Sequence, residues 1–121
     1  MTDATALAAR YLAAWNERDP ARRRALVAEL WTADGTYVDP MAQAAGHDEL
    51  AGLIGAVQER FPGLVFKPAG KADGYPGHIR FSWTLGPADG EGLAGGTDYA
   101  SVADGRLKSV TGFLDFMPAM A

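Results

Sequence analysis

Apolar residues fall at Ala4, Leu7, Ala8, Tyr11, Leu12 and Trp15, the spacing of one helical face, so the chain is predicted to open with a helix that stops over Asn16 to Arg18. Asp19-Pro20 restarts it: the carboxylate can accept from free N–H groups, and proline at the first helical position gives up no bond. A second helix is predicted to about Leu30, burying Leu26, Val27, Leu30 and Trp31. Asp34-Gly35 is a turn signal, and Thr36-Tyr37-Val38-Asp39 reads as a short strand halted by Pro40. Met41 to Ala45 reads as a loop. Gly46-His47-Asp48-Glu49 then opens a third helix, with acidic residues where the helix dipole favours them. Its apolar stripe is Leu50, Leu53, Ile54, Val57 and Phe61, and Pro62-Gly63 ends it.

Beyond Gly63 the period changes from helical spacing to strands separated by Gly, Pro and Asp. They are predicted over Leu64 to about Lys71, His78 to Leu85, Thr97 to Val102, and Arg106 to Phe116. Ala103-Asp104-Gly105 is a hairpin signal, and Gly86 to Gly96 reads as a longer hairpin tip. Three helices followed by a meander of strands predict an α+β fold with the helices gathered on one side of the sheet.

Composition narrows the function without changing this picture. A chain of 121 residues, 48% apolar and 21% charged, is expected to form a single domain over 1–121. A net charge of −4 and a pI near 5.0 offer no general attraction to nucleic acid or anionic lipid. Arg22-Arg23-Arg24 is the local exception, and a solvated helix face is its expected role. No segment reaches the ~20 apolar residues of a membrane span, and Met1-Thr2-Asp3-Ala4 lacks the basic start of a secretory signal. With no cysteine there is no disulfide or thiolate chemistry, and a cytoplasmic location is expected. No G-x-G-x-x-G or P-loop pattern joins a strand to a helix.

Strand parity sorts the candidate chemistry. Ile79, Phe81, Trp83 and Leu85 alternate with His78, Arg80, Ser82 and Thr84, so the first set should face the core and the second the outside. On the next strand Asp98 alternates with Ala100 and Val102, so its carboxyl should point inward, where it must be hydrogen-bonded, paired or protonated. Tyr11 lies in the buried stripe of the first helix, and its hydroxyl needs an interior partner. Each residue also has a structural reading: Asp98 bonding backbone at the sheet edge, Tyr11 as a core tyrosine, Asp39 capping a turn before Pro40. His47 and His78 have no second ligand at metal spacing, so neither a metal nor a cofactor is expected. Ser82 and Ser101 lack a histidine of matching parity for nucleophilic catalysis.

The pieces Arg10-Tyr11-Leu12-Ala13-Ala14-Trp15-Asn16-Glu17-Arg18-Asp19, Tyr37-Val38-Asp39-Pro40, Gly46-His47, Thr97-Asp98-Tyr99 and Asp104-Gly105-Arg106-Leu107 resemble, in order and spacing, the NTF2-like superfamily. They look most like its ketosteroid isomerases and SnoaL-like polyketide cyclases. The resemblance implies a cone-shaped, mostly antiparallel curved sheet closed by three N-terminal helices around an apolar pocket, and a homodimer. It places Tyr11, Asp39 and Asp98 on the isomerase site. There Asp39 would take a proton next to a carbonyl while Tyr11 and a protonated Asp98 donate to the enolate oxygen, logic that belongs to the well-studied isomerase. In the cyclase branch Asp98 alone would be acid and base. Trp15, Trp31, Phe66, Phe81 and Trp83 could wall the pocket around a small apolar molecule. An epoxide-hydrolase-like site would need Arg80 turned inward by a bulge, and a noncatalytic binding or dimerisation module would use both aspartates structurally.

Overall fold

The computed structural model describes residues 3–117. Helix α1 (Ala4–Asn16) begins where Asp3 accepts a 3.0 Å bond from the Ala6 N–H, and α2 (Pro20–Leu30) where Asp19 accepts from Arg22 with proline in the first turn. The chain then runs through β1 (Trp31–Val38), β2 (Gln43–Ala45), α3 (His47–Arg60), β3 (Val65–Tyr75), β4 (His78–Gly86), β5 (Ala94–Ala103) and β6 (Arg106–Phe116). One six-stranded sheet has the order β2-β1-β6-β5-β4-β3. Every neighbouring pair is antiparallel except β1 with β6, which run parallel. The fold is α+β, with an open, curved, mixed sheet.

The core joins Leu7, Tyr11 and Trp15 of α1 to Val27 and Leu30 of α2, Leu50 and Ile54 of α3, and Ile79, Phe81, Ala100, Leu107 and Val110 of the sheet. At the β5–β6 turn both Asp104 and Gly105 have positive φ, 54° and 77°, the mirror-image turn that suits the twist of a two-residue hairpin. Asn16 ties α1 to β3 by a reciprocal pair: its amide donates to the Phe66 carbonyl at 2.8 Å and accepts from the Phe66 N–H at 2.7 Å.

Several strands differ from expectation. Trp31 opens β1 rather than closing α2, and β1 is longer than the four residues foreseen. Gln43–Ala45, expected as loop, pairs with Thr36–Val38 because the turn after Asp39 folds the chain back antiparallel on β1. β3 continues past Lys71 to Tyr75 across a register shift between Ala69 and Asp73, and β5 starts three residues early, at Ala94. The period-2 signal fails there for one reason: a shift or a run of glycine hides alternation while the ladder continues.

The arginine run also needs correction. Arg23 is buried, not solvated. Its guanidinium donates to the Glu17 and Arg18 carbonyls and to Gln58 Oε1, while Gln58 Nε2 donates to the Trp15 and Glu17 carbonyls. These bonds satisfy carbonyls at the end of α1 and in the link to α2, and Gln58 ties them to α3. Arg23→Met keeps the apolar stem and strands those acceptors, so it is expected to lower unfolding free energy by about 1–3 kcal/mol in urea titrations. Arg22→Met, on the exposed side, should change it little.

Candidate functional site

Five elements meet at the site. Tyr11 and Trp15 are four residues apart on α1, hence on one face, and that face lies on the sheet. β1 carries Tyr37, and Asp39 follows directly after the strand with the same parity. β5 carries Asp98, opposite Phe81 on β4 and Gly112 on β6.

Tyr11 Oη donates to Asp98 Oδ2 at 2.7 Å, and Trp83 Nε1 donates to Asp98 Oδ1 at 3.1 Å. Asp98 is 1% exposed. Burial pushes its carboxyl from 3.8 up to about 6, against the lowering effect of its Tyr11 and Trp83 bonds. The Tyr11 phenol is raised well above its ordinary value, first by burial and then by the nearby Asp98 charge.

Asp39 is held differently. Its Oδ1 accepts from the Met41 and Ala42 N–H groups, both at 2.8 Å, closing an Asx-type turn at Pro40. Oδ2 accepts from Tyr37 Oη at 2.6 Å. A carboxylate oxygen has two lone-pair directions, so Oδ1 is filled and Oδ2 keeps one open. Burial raises the Tyr37 phenol, and the bond to Asp39 adds to it.

The two acids meet at Gly112. A Cβ built on that glycine would lie 2.8 Å from Asp98 Oδ1 and 3.4 Å from both Asp39 Cβ and Tyr37 Oη. Tyr11, Tyr37, Asp39, Asp98 and Gly112 line one partly open cavity of about 80 Å³. Trp15, Phe66 and Trp83 form apolar wall, with Phe61 and Met41 among the other lining residues.

Two residues expected in the wall are not part of the lining. Trp31 and Phe81 pack against the Tyr11 ring, at 5.6 and 4.9 Å between ring centres, and are 0% and 3% exposed. They brace the tyrosine instead of facing the cavity, because β1 and β4 turn these side chains under α1. Arg80 points away from the cavity, 3.4 Å from Asp73 with its side chain 72% exposed. Tyr37 and Gly112 were not among the expected site residues. Tyr37 was findable, since it stands two residues before Asp39 and therefore on the same strand face. Among the described residues no group of three His, Cys, Asp or Glu side chains could hold a metal ion.

The model of the SnoaL-like domain matches residues 8–110. The chain belongs to the SnoaL-like domain family. A crystal structure of a proposed isomerase of the SnoaL-like family from Agrobacterium tumefaciens is 46% identical, covers 96% of this chain and 100% of its own, and superposes with a TM-score of 0.90. More distant structures share the fold. One is a protein of ketosteroid isomerase-like fold from Catenulispora acidiphila, in complex with trimethylamine (20% identity, 88% of this chain and 82% of that one, TM-score 0.72). Another is a proposed SnoaL-like polyketide cyclase from Jannaschia (18%, 92% and 86%, TM-score 0.69). No curated protein matches. Within this SnoaL-like fold, no helix among the described residues is long and apolar enough to cross a membrane.

Proposed function

We propose that the cavity binds a small apolar carbonyl compound and moves a proton next to the carbonyl, as ketosteroid isomerase-like or cyclase-like proteins do. The observation that carries this reading is the meeting of Asp39, Asp98 and Tyr37 around Gly112 inside one largely apolar cavity. Asp39 takes the proton through the open lone pair of Oδ2: the C–H bond breaks, its electrons form a C=C bond, and the carbonyl π electrons move to oxygen. That oxygen lies toward Asp98 and Tyr11. Burial raises the Asp98 carboxyl to about 6, so a share of the free protein already carries a proton taken from solvent before the ketone binds, and that protonated carboxyl donates to the enolate. Asp39 then returns its proton to carbon.

The test is deuterium exchange at the α-carbon of small cyclic ketones, followed by proton NMR. Exchange above the buffer rate supports the reading; a whole panel exchanging at the buffer rate refutes it. The rival is a noncatalytic binding module, and one observation favours it: Oδ1 of Asp39 is committed to two backbone N–H groups. The epoxide-hydrolase-like alternative lacks its arginine, since Arg80 is bonded to Asp73 on the outer surface.

The same reading includes a homodimer. Val38, Thr111 and Tyr99 lie in one row across the outer sheet face, with Val38 and Tyr99 exposed, and we infer that this face is the contact for a second copy. Light scattering should give the mass of two chains, and a single-chain mass would overturn the dimer.

A further inference from the structure

Strand register gives the cavity a direction. Along the inward side of β5, Asp98 pairs with Gly112. Two residues back, Gly96 pairs with Trp83 on one side and Leu114 on the other, and two further back Ala94 pairs with Leu85, itself opposite Phe66. All of these except Gly96 line the cavity, so it follows three successive rungs of the sheet. From Asp98 to Ala94 is four residues, about 13 Å of extended strand.

The two ends differ in chemistry. Tyr11, Tyr37, Asp39 and Asp98 gather at the first rung. The second and third rungs are apolar, and the one N–H among their lining side chains, that of Trp83, is turned back onto Asp98. At Gly96 the Trp83 ring is itself the floor, since a Cβ there would meet it at 2.5 Å. The outermost lining is apolar too: Met41 is 60% exposed and Met117 38%, against 1% for Asp98. The space is also narrow. A cavity of about 80 Å³ admits roughly six waters, which stand nearly in file when spread over three rungs. That shape takes a chain and leaves no width for fused rings.

We propose that the ligand is a straight-chain carbonyl compound, its carbonyl at the acid end and its alkyl tail drawn along β5 to leave past Met41 and Met117. The carbonyl head rests on the proton-transfer reading; the tail rests on the rungs, their apolar lining and the volume. Roughly ten carbons, joined by bonds of about 1.5 Å and zigzagged, reach from the first rung to the third. Methionine is unbranched and adapts to what it touches, so the exit suits a tail that continues into solvent.

The experiment reads binding and is independent of turnover. The 2-alkanones from 2-butanone to 2-undecanone, and the fused bicycle 2-decalone, are titrated against tryptophan fluorescence. Affinity should rise about three- to fourfold with each CH₂ and level off near roughly ten carbons. Corrected for transfer from water to octanol, 2-decanone should bind more tightly than 2-decalone by about tenfold or more. Ala94→Leu fills the third rung: it should weaken 2-decanone by about tenfold or more and leave 2-pentanone as in wild type, which also shows that the variant folds. If it does not fold, the wild-type series and the 2-decalone comparison decide. A rise that ends at about five or six carbons, 2-decalone equal to 2-decanone, or wild type that binds no ketone overturns the proposal. Chain-dependent binding beside ketones that never exchange at the α-carbon would sink the proton-transfer reading and leave the chain site standing. Cyclic ketones that exchange while chains gain nothing from length would do the reverse.

Discussion

Asp39→Asn is expected to slow ketone α-exchange by about 10²–10⁴-fold, the usual contribution of a positioned general base, while leaving the fold intact. Asparagine keeps an oxygen for the Met41 and Ala42 N–H groups, so the turn at Pro40 survives. Its NH₂ replaces Oδ2, and that group can donate to Tyr37 Oη but cannot take a proton from carbon. Exchange rates by NMR and near-ultraviolet circular dichroism on the same samples separate the two effects. An Asp39→Asn variant that exchanges at the wild-type rate would remove Asp39 as the base. Ketone binding should change much less than exchange, because Asp39 meets the carbon and not the oxygen.

Asp98 is expected to make the protein more stable in mild acid. Its carboxyl titrates near 6 when folded and at 3.8 ordinarily, so between these values the folded chain holds more protons than the unfolded one. The sign follows: this contribution is full below 3.8 and is lost as pH rises through about 6. The shift corresponds to about 3 kcal/mol. Tyr11 from α1, Asp39 just after β1, Trp83 from β4 and Asp115 from β6 act on the carboxyl, and of these only burial and the two acids raise it. Urea unfolding of wild type and Asp98→Asn from about pH 7 to about pH 4 isolates the effect. Wild type should gain most of that energy relative to the variant over this range. Parallel pH profiles would mean that Asp98 is not held above its ordinary range.

The helices were legible because their caps and stripes are local. Asp3, Asp19 and Gly46 start them where the pattern begins. Strand parity was enough to turn Asp98 inward, and it could have turned Tyr37 inward too. What could not be read was partnership. Nothing local says that Tyr11 bonds Asp98 across 87 positions, or that Arg23 leaves its charged run to satisfy the link that follows α1. Trp31 and Phe81 were assigned to the cavity wall because they are aromatic and inward, but parity does not tell the layer behind a tyrosine from the layer in front of it. Gly112 carried a signal only by contrast, as a gap in an aliphatic row.

The parallel seam between β1 and β6 has a consequence for synthesis. Trp31 pairs with Leu107 and Val38 with Thr111, so the strand leading to Asp39, already paired with β2 on one side, finds its second neighbour only when β6 has been made. Until then both β1 and β5 present an unpaired edge to the same missing strand, and the two acids have no common floor. A chain emerging from the ribosome would therefore acquire its helices early and its cavity in one late step, and ribosome-bound chains ending before Arg106 should be open to added protease across β1.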